Sequence, residues 1–421
     1  MKRRVIKVPT RGGVPMSDSA KDRDILDRRD FMTGSIAAAG AAAIVIGEAA
    51  TATAQQTSGK EEARAGTIYT GETVQERKVV SRLDVADLEP GKKHQLYFQG
   101  VQAPGGQCWY VSVVVAKGAR PGKRFTLTSG VHGDEMSSIR TVQAVMEQLD
   151  PKQMSGTVMA VLDIARPALE SMQRRWPNSG RGIGLIDMNR EWPGNENGAS
   201  ATSRHAGLLF NRLLKPNSDL AIDFHTGATG LEIAAFIIGD RSIPDVKTMT
   251  DLYPIGQMWD DAAYPGVLHN AFVDAGIPCF TPEVGAARIL NGGMIDLFVE
   301  GTTNVLKHYG VIGGAIGRTA ADAGMKIGNG AAPIIATHGG LVEYLAKLDE
   351  EVKAGQKIAV QRNMFGETVA EYVAAQNGTM AAYRTDSMSE PGNILAFIMV
   401  REPDTPARRG VHADTEHSYP E

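Results

Sequence analysis

The segment FTLTSGVHGDE, residues 125–135, carries the pattern that decides the fold. Its first four residues alternate apolar and β-branched side chains, which is typical of a buried strand. Two glycines then turn the chain, and residues 136–149 follow with helical spacing. His132 and Glu135 stand three positions apart in the turn, so both side chains can reach one ion. The segment predicts a strand that delivers metal-binding side chains at its carboxyl end.

Two further segments end in the same way. LAIDFHTG places His225 after an apolar run, and CFTPEVG does the same for Glu283. Ligands of open α/β sheets bind beyond the carboxyl ends of the strands, so the three segments can converge on one crevice. His132, Glu135 and His225 then make a His₂Glu set, which leaves a zinc ion one open position for water. Glu283 is available as a proton shuttle.

Short apolar runs alternate with helical stretches between residues 85 and 316, which predicts a catalytic α/β domain there. Its sheet is expected to be mixed but largely parallel, with flanking helices. The predicted strands cover residues 110–115, 125–128, 157–162, 220–224, 233–238 and 278–281. The predicted helices cover residues 136–149, 204–214, 266–275 and 294–309.

The pattern changes after residue 316. Residues 317–330 are rich in Gly and Ala and are predicted to be a linker. Residues 331–401 lose the helical period and show short strand-like pieces between turn signals, so they predict a small all-β domain. Residues 402–421 are charged and are predicted to be a tail.

Residues 1–54 have the features of an export signal. Arg28 and Arg29 precede a modest apolar run, and a small-x-small pattern ends at Ala54. This arrangement predicts a twin-arginine signal peptide that is cleaved near Ala54, with the twin-arginine export machinery as a partner and a periplasmic mature protein. The alternative is an uncleaved anchor or a disordered leader. Residues 55–84 are predicted to be a loose N-terminal arm.

The composition excludes several classes of function. The 421 residues are 43% hydrophobic and 22% charged, as in ordinary soluble proteins. The net charge of 44 − 48 = −4 gives no basic field for nucleic acid. No stretch of the mature chain reaches the ~18 apolar residues of a membrane helix, so no stable membrane insertion is expected. Cys108 and Cys279 are too few for a cysteine zinc cluster and are predicted to be buried free thiols.

A fourth segment, DMNREWPG, carries Asn189 and Arg190 just before a Pro-Gly turn. The fork of an arginine side chain binds a carboxylate through two parallel hydrogen bonds. The pair is therefore predicted to bind substrate. The alternative is a structural arginine that ties down the long loop over residues 170–203.

The order of the four motifs, HGDE, DxNRxxPG, DxHT and PExG, resembles the succinylglutamate desuccinylase/aspartoacylase family. Members of this family are zinc deacylases related to the metallocarboxypeptidases, and the resemblance covers residues 90–401. It implies a zinc-carboxypeptidase-like fold. It also implies one Zn²⁺ per chain, held by His132, Glu135 and His225.

The same resemblance implies roles for the other polar side chains. Glu283 is expected to be the general base, and Asn189 with Arg190 is expected to hold a carboxylate of a small N-acyl substrate. The family also has an arginine that polarises the scissile carbonyl, a few residues before the Asn-Arg pair. Arg181 is nearest to that position, and the alternatives are Arg174 and Arg175.

The C-terminal β-domain is similar to the biotinyl/lipoyl-like barrel-sandwich that the family carries. A true carrier of this kind has an exposed lysine at a hairpin tip, and the matching turn AAQNGT, residues 374–379, has none. No covalent cofactor is therefore expected on this domain. Shaping the crevice, an oligomer contact and purely structural packing are its alternative roles, and the oligomeric state stays open.

The predicted activity is hydrolysis of the amide bond of a small N-acyl amino acid or N-acyl amine. A zinc carboxypeptidase acting on peptides or cell-wall peptides is the first alternative, because it would use the same ligands. A periplasmic binding protein without catalysis is the second. His269 and Tyr264 are weaker candidates for lining the crevice.

Overall fold

The computed structural model describes residues 66–177, 184–261 and 265–401. Several predicted features lie outside these residues: the signal peptide, residues 55–65 of the arm, the tail, Arg181 and Tyr264. The described residues all belong to one compact unit. Within them, no helix combines the length and the apolar character that crossing a membrane requires.

Five strands precede the first α-helix, strands and helices then intermix as far as residue 308, and only strands follow among the described residues. The strands are β1 (Ile68–Val74), β2 (Arg77–Arg82), β3 (Lys92–Gln102), β4 (Cys108–Lys117), β5 (Arg120–Thr128), β6 (Ser155–Val161), β7 (Trp176–Pro177), β8 (Leu185–Ile186), β9 (Leu220–Asp223), β10 (Leu231–Ile233), β11 (Phe236–Gly239), β12 (Gln257–Asp260), β13 (Cys279–Glu283), β14 (Lys326–Gly328), β15 (Gly330–Ile335), β16 (Gly340–Tyr344), β17 (Glu351–Val352), β18 (Lys357–Arg362), β19 (Thr368–Val373), β20 (Gly378–Arg384), β21 (Met388–Ser389) and β22 (Ile394–Val400). The α-helices are α1 (Met136–Gln148), α2 (Arg166–Glu170), α3 (Ala201–Leu209), α4 (Pro244–Asp251), α5 (Leu268–Asp274) and α6 (Gly292–His308).

An eleven-stranded sheet forms the centre of the molecule, in the order β1-β2-β3-β4-β6-β5-β9-β13-β11-β12-β14. Strands β6, β5, β9 and β13 run parallel to one another, and antiparallel pairs flank them on both sides. The expectation of a mixed, largely parallel α/β sheet is therefore confirmed. The carboxyl ends of β5, β9 and β13 meet at one edge of this sheet.

Helices cover both faces of the sheet, which explains why β5 and β9 are buried at consecutive positions. Helices α1 and α6 pack on one face, where Val142, Phe298 and Phe125 belong to one core cluster. Helices α3 and α5 pack on the other face, where Leu209 and Phe272 belong to the second core cluster.

The C-terminal region forms two smaller sheets around a separate core that includes Ile358, Met380 and Leu395. One sheet runs β10-β20-β22-β15, with β17 added to β20, and the other runs β19-β18-β16-β21. The first of these sheets includes β10, which comes from the catalytic region. The similarity to a biotinyl/lipoyl-like barrel-sandwich stays a prediction.

Three local predictions were wrong. Residues 68–82, predicted to lie in a loose arm, form β1 and β2. Strand β1 is the edge strand of the central sheet, and its side chains are largely exposed. Residues 326–328, predicted to lie in a linker, form the opposite edge strand β14. The single strand predicted over 233–238 is two strands in different sheets, because the backbone N–H of Ala234 bonds to the oxygen of Ala381 instead.

The two cysteines are free thiols, as predicted, but they differ in burial. Cys279 lies in the core on β13, whereas Cys108 begins β4 and is only half-buried. The Cys108 sulfur accepts a hydrogen bond from Nε2 of Gln99, at 3.3 Å, on the neighbouring strand. The burial predicted for Cys108 was therefore wrong, because β4 is solvent-accessible at this end.

Candidate metal centre and its surroundings

Three neighbouring strands deliver the predicted ligands and the predicted base. His132 and Glu135 follow β5, His225 follows β9, and Glu283 is the last residue of β13. A short parallel bridge joins His225 to Glu283, with the N–H of His225 bonded to the oxygen of Pro282 at 3.0 Å. The structure therefore brings the four side chains to one edge of the sheet.

The two histidines turn the same ring nitrogen toward one carboxylate. Nδ1 of His132 lies 2.7 Å from Oε1 of Glu135, and Nδ1 of His225 lies 2.9 Å from Oε2. The two Nδ1 atoms are 3.2 Å apart. The three side chains can each direct one ligand atom at a common point, with these atoms within 4.8 Å of one another. All three are buried, with at most 3% of their surface exposed.

A second pair of carboxylates lies behind the histidine rings. Oδ1 of Asp187 is 2.9 Å from Nε2 of His132, and Oδ2 of Asp223 is 3.0 Å from Nε2 of His225. Asp223 also accepts a hydrogen bond from Oγ1 of Thr128 at 2.6 Å. Carboxylates in this position orient metal-binding histidines and fix their tautomer.

The resulting charge arrangement fits a cation. A carboxylate can only accept, so beside Asp187 and Asp223 each histidine keeps its proton on Nε2 and directs a lone pair from Nδ1 toward the centre. Two lone pairs and the Glu135 carboxylate then face one another at short distance. Such a set of acceptors is stable only when protons or a cation lie between them, and two imidazoles with one carboxylate are a usual donor set for zinc.

The pKa values of the ligands follow from the same geometry. Burial opposes ionisation of Glu135, but His132 and His225 outweigh it and hold the pKa of this carboxyl well below its usual range. Burial likewise opposes the charged form of His225, while Asp223 and Glu135 raise its pKa well above the usual value. Without a metal, the centre therefore takes up a proton where a cation would lie.

Glu283 has a different environment from the ligands. Burial, assisted by the charge of Glu135, raises the pKa of Glu283 to about 8, although His225 and Arg174 act in the opposite direction. Its Oε2 atom is buried and has no hydrogen-bond partner among the described residues. A carboxyl group with a pKa near neutrality is suited to accept and return a proton.

An arginine that the sequence offered only as an alternative lies against the centre. Nη1 of Arg174 is 2.9 Å from Oε1 of Glu135, and its Nε is 3.6 Å from Oδ2 of Asp187. These carboxylates raise its pKa against the effect of burial. Arg181, the first choice for the carbonyl-polarising residue, lies outside the described residues. Arg174, one of the two alternatives, lies in direct contact with Glu135.

Asn189 and Arg190 lie in a short 3₁₀ turn next to the centre. Oδ1 of Asn189 accepts the N–H of Leu268 at 2.9 Å, so the amide group is oriented with its NH₂ donors away from α5. Nη1 of Arg190 donates to the backbone oxygen of Asn189 and lies 3.9 Å from Oδ2 of Asp187. Gly266 packs against the Arg190 backbone with a φ of 98°, where a side chain would clash.

His269, a weaker candidate, has its hydrogen bond with Thr281 on β13. Its Nδ1 lies 2.6 Å from Oγ1 of Thr281, two residues before Glu283, and its Nε2 is buried without a partner among the described residues. Burial lowers its pKa to about 4, so the ring is neutral at pH 7. His269 is therefore a buried, neutral side chain held against β13.

Sequence reasoning missed the roles of Asp187 and Asp223, although both stand in the quoted motifs. A signal for Asp223 exists, because residues two apart on a strand share a face, which puts its carboxylate beside His225. No comparable signal exists for Asp187, since it meets His132 from a loop 55 positions away.

Comparisons with known proteins find similar sequences in one group of deacylases. Residues 121–309 match the model of the succinylglutamate desuccinylase/aspartoacylase catalytic domain. The N-alpha-acetyl-L-2,4-diaminobutyric acid deacetylase of Halomonas elongata is 28% identical over 297 residues, which are 68% of this chain and 84% of that protein.

Solved structures share the fold. A succinylglutamate desuccinylase from Silicibacter sp. TM1040 superposes with a TM-score of 0.62 at 23% identity, covering 75% of this chain and 96% of that one. The product-bound ectoine utilization protein EutE from Ruegeria pomeroyi superposes with a TM-score of 0.65 at 20% identity, with the same coverage. The family model thus agrees with the resemblance of the four motifs: residues 121–309 are similar to the catalytic domain of the succinylglutamate desuccinylase/aspartoacylase family.

Proposed function

We propose that this protein is a zinc-dependent deacylase. It hydrolyses the amide bond of a small N-acyl amino acid, or of an N-acyl amine that carries a carboxylate. The observation that carries the proposal is the set of three buried acceptors, His132, Glu135 and His225, which face one another. Glu283 stands at the same site, and its buried Oε2 has no hydrogen-bond partner among the described residues. The curated relative from Halomonas elongata, a deacetylase of an N-acetylated amino acid, supports the choice of reaction.

His132, Glu135 and His225 would hold one Zn²⁺, through two Nδ1 atoms and a carboxylate oxygen. A zinc ion in such a site lowers the pKa of a bound water to near 7 and polarises a carbonyl. Asp187 and Asp223 hold the two imidazole rings in the orientation that this binding needs.

Glu283 moves the proton during hydrolysis. As the carboxylate it accepts a proton from the attacking water, and as the acid it returns that proton to the leaving amine nitrogen. Its buried position supports both steps, because burial raises its pKa to about 8, within reach of neutral pH. Arg174, already at the centre, donates hydrogen bonds to the carbonyl oxygen as negative charge develops there.

Asn189 and Arg190 supply the contact with the substrate carboxylate. The Asn189 amide presents donors because its oxygen is occupied by the N–H of Leu268, and the Arg190 guanidinium adds a charged fork. A carboxylate beside the scissile amide is common to N-acyl amino acids and to the C-terminal residue of peptides. The family and the curated relative favour the N-acyl amino acid over the peptide.

The deciding experiment uses mature protein purified without a histidine tag. Its zinc content is measured by mass spectrometry, and its activity is measured on N-acetyl and N-succinyl amino acids beside short peptides with free C-termini. We expect about one zinc per chain and turnover of N-acyl amino acids. Glu283→Gln should keep the zinc and lose turnover.

Three outcomes would contradict the proposal. Turnover of peptides alone would favour the carboxypeptidase. Binding of N-acyl amino acids without zinc or turnover would favour the binding protein. Full activity of Glu283→Gln would show that another group is the base.

A further inference from the structure

We propose that Thr229 is a positioning residue for the metal-binding turn and that the C-terminal β-domain holds Thr229 in place. The inference rests on the zinc site proposed above, but it concerns a different part of the chain. It gives the C-terminal region a role in the reaction centre rather than in packing alone.

Thr229 donates two hydrogen bonds to one buried carboxylate. Its backbone N–H lies 2.9 Å from Oδ2 of Asp134, and its Oγ1 lies 2.7 Å from the same atom. Asp134 is fully buried and stands between the ligands His132 and Glu135 in sequence. Any shift of Asp134 therefore moves the backbone that carries both ligands.

The same loop contacts a ligand directly. The N–H of Thr226 lies 3.2 Å from Oε2 of Glu135, three residues before Thr229. The loop over residues 226–230 thus donates to two consecutive residues of the metal-binding turn. Two donors to Asp134 and one to Glu135 fix the turn against the end of β9.

The far side of the loop is attached to the C-terminal β-domain. The oxygen of Gly230 accepts the N–H of Thr385 at 2.9 Å, and β10 then pairs with β20 from Leu231 to Ile233. Oη of Tyr383 adds a hydrogen bond to Glu232 at 3.1 Å.

Apolar packing also joins the loop to the C-terminal β-domain. Side chains of the central region and of the C-terminal strands share one small buried cluster, formed by Ile233, Phe236, Ala382 and Phe397. A loop held by a strand ladder and a packed cluster has little freedom, which makes it a suitable support for the turn.

The test removes the Thr229 hydroxyl with an isosteric change. Thr229 is exposed, so Thr229→Val keeps the shape of the side chain at a surface position and should fold. Thr229→Ser keeps the donor and serves as the rescue. Thr248→Val is the matched control, because the Thr248 hydroxyl donates to Pro244 on α4, away from the centre.

Two readouts are measured on each variant. Zinc affinity is obtained by competition with a chromophoric chelator, and hydrogen exchange of residues 132–135 is followed in the metal-free protein. Thr229→Val should weaken zinc binding about tenfold, because loss of a residue that supports metal ligands lowers metal affinity by about 10- to 100-fold. It should also speed hydrogen exchange of residues 132–135. Thr229→Ser and Thr248→Val should match the wild type.

The result that would overturn the proposal is wild-type exchange and wild-type zinc affinity in Thr229→Val. Fast exchange of the Thr385 amide in the wild type would overturn the part played by the C-terminal domain. The two proposals can also fail separately. If the wild type binds no zinc but exchange of residues 132–135 is faster in Thr229→Val, the proposed function is wrong and the positioning role of Thr229 is supported.

Discussion

Oδ2 of Asp223, the last residue of β9, lies 3.0 Å from Nε2 of His225, two residues further along the chain. The other oxygen of Asp223 accepts the Thr128 hydroxyl of the neighbouring strand. The contact therefore ties the orientation of one predicted zinc ligand to the parallel centre of the sheet.

Asp223→Asn should reduce zinc affinity by about 10- to 100-fold. The neutral amide no longer favours the proton on Nε2, so Nδ1 of His225 loses basicity as a ligand. The measurement is chelator competition on the purified variant. Asp219→Asn, which alters a partly exposed ion pair with Arg124, is the control and should bind zinc normally. Unchanged zinc affinity in Asp223→Asn would contradict the assigned role.

Glu283→Gln should stabilise the metal-free protein at pH 8 while it abolishes turnover. The pKa of Glu283 is about 8 in the folded protein and near 4.5 in the unfolded chain, so the folded state retains a proton that the unfolded state has lost between these values. Stability from this group is therefore present at low pH and falls as the pH rises from 4.5 to 8.

Glutamine does not titrate, so the variant escapes this loss. We expect it to exceed the wild type by at least about 1 kcal/mol at pH 8, and to differ little at pH 4.5. Urea unfolding of both proteins with zinc removed gives the comparison. Equal stability of the two proteins at pH 8 would show that folding does not raise the pKa of Glu283.

Arg190→Met should raise KM for N-acyl amino acids by about 10- to 100-fold and leave kcat nearly unchanged. A charge-assisted pair with the substrate carboxylate contributes about 1.5–3 kcal/mol to binding of both ground state and transition state. Steady-state kinetics separate the two constants. Arg204→Met, on α3, is the control for loss of a surface arginine. A fall in kcat at constant KM would place Arg190 in the chemical step instead.

His205→Gln should make the protein less sensitive to acid. His205 is fully buried, accepts the N–H of Val101 at 3.2 Å and contacts the oxygen of Ile164 at 3.0 Å, and burial lowers its pKa to about 4. The unfolded chain binds a proton there between pH 6.5 and pH 4, whereas the folded protein does not.

Folding stability from His205 is therefore present above pH 6.5 and is lost as the pH falls toward 4, by at most about 3 kcal/mol. A glutamine amide can replace both hydrogen bonds without titrating. Thermal unfolding between pH 4 and pH 7 should show a flatter profile for the variant. A wild-type slope in His205→Gln would assign the acid sensitivity to other groups.

Strands could be predicted from the sequence where their side chains are buried on both faces of the sheet. Strands β5, β9 and β13 were all predicted, because each is an apolar run that ends in a turn with a polar residue. Strands β1 and β14 were not predicted, since an edge strand with exposed side chains has no apolar period. The break at Ala234 was also hidden, because periodicity does not say which sheet a strand joins.

In the candidate site, too, the residues that follow predicted strands could be predicted, and those held by long-range contacts could not. His132, Glu135, His225 and Glu283 follow predicted strands, and the sheet order brings them together. Contacts such as Asp134 with Thr229 join residues 95 positions apart through a loop, and no local pattern announces them. The position of Arg174 likewise depends on how the chain folds back after α2.

The pairing of β10 with β20 also has a consequence for the order of events during synthesis. About 150 residues separate the two strands, so β10 has no partner until the ribosome has delivered nearly the whole chain. Until then the segment after His225 keeps an unpaired edge, which invites association with other nascent chains. A chain truncated before residue 378 should therefore be prone to aggregation, and intact chains should acquire a rigid catalytic centre only as a late step of maturation.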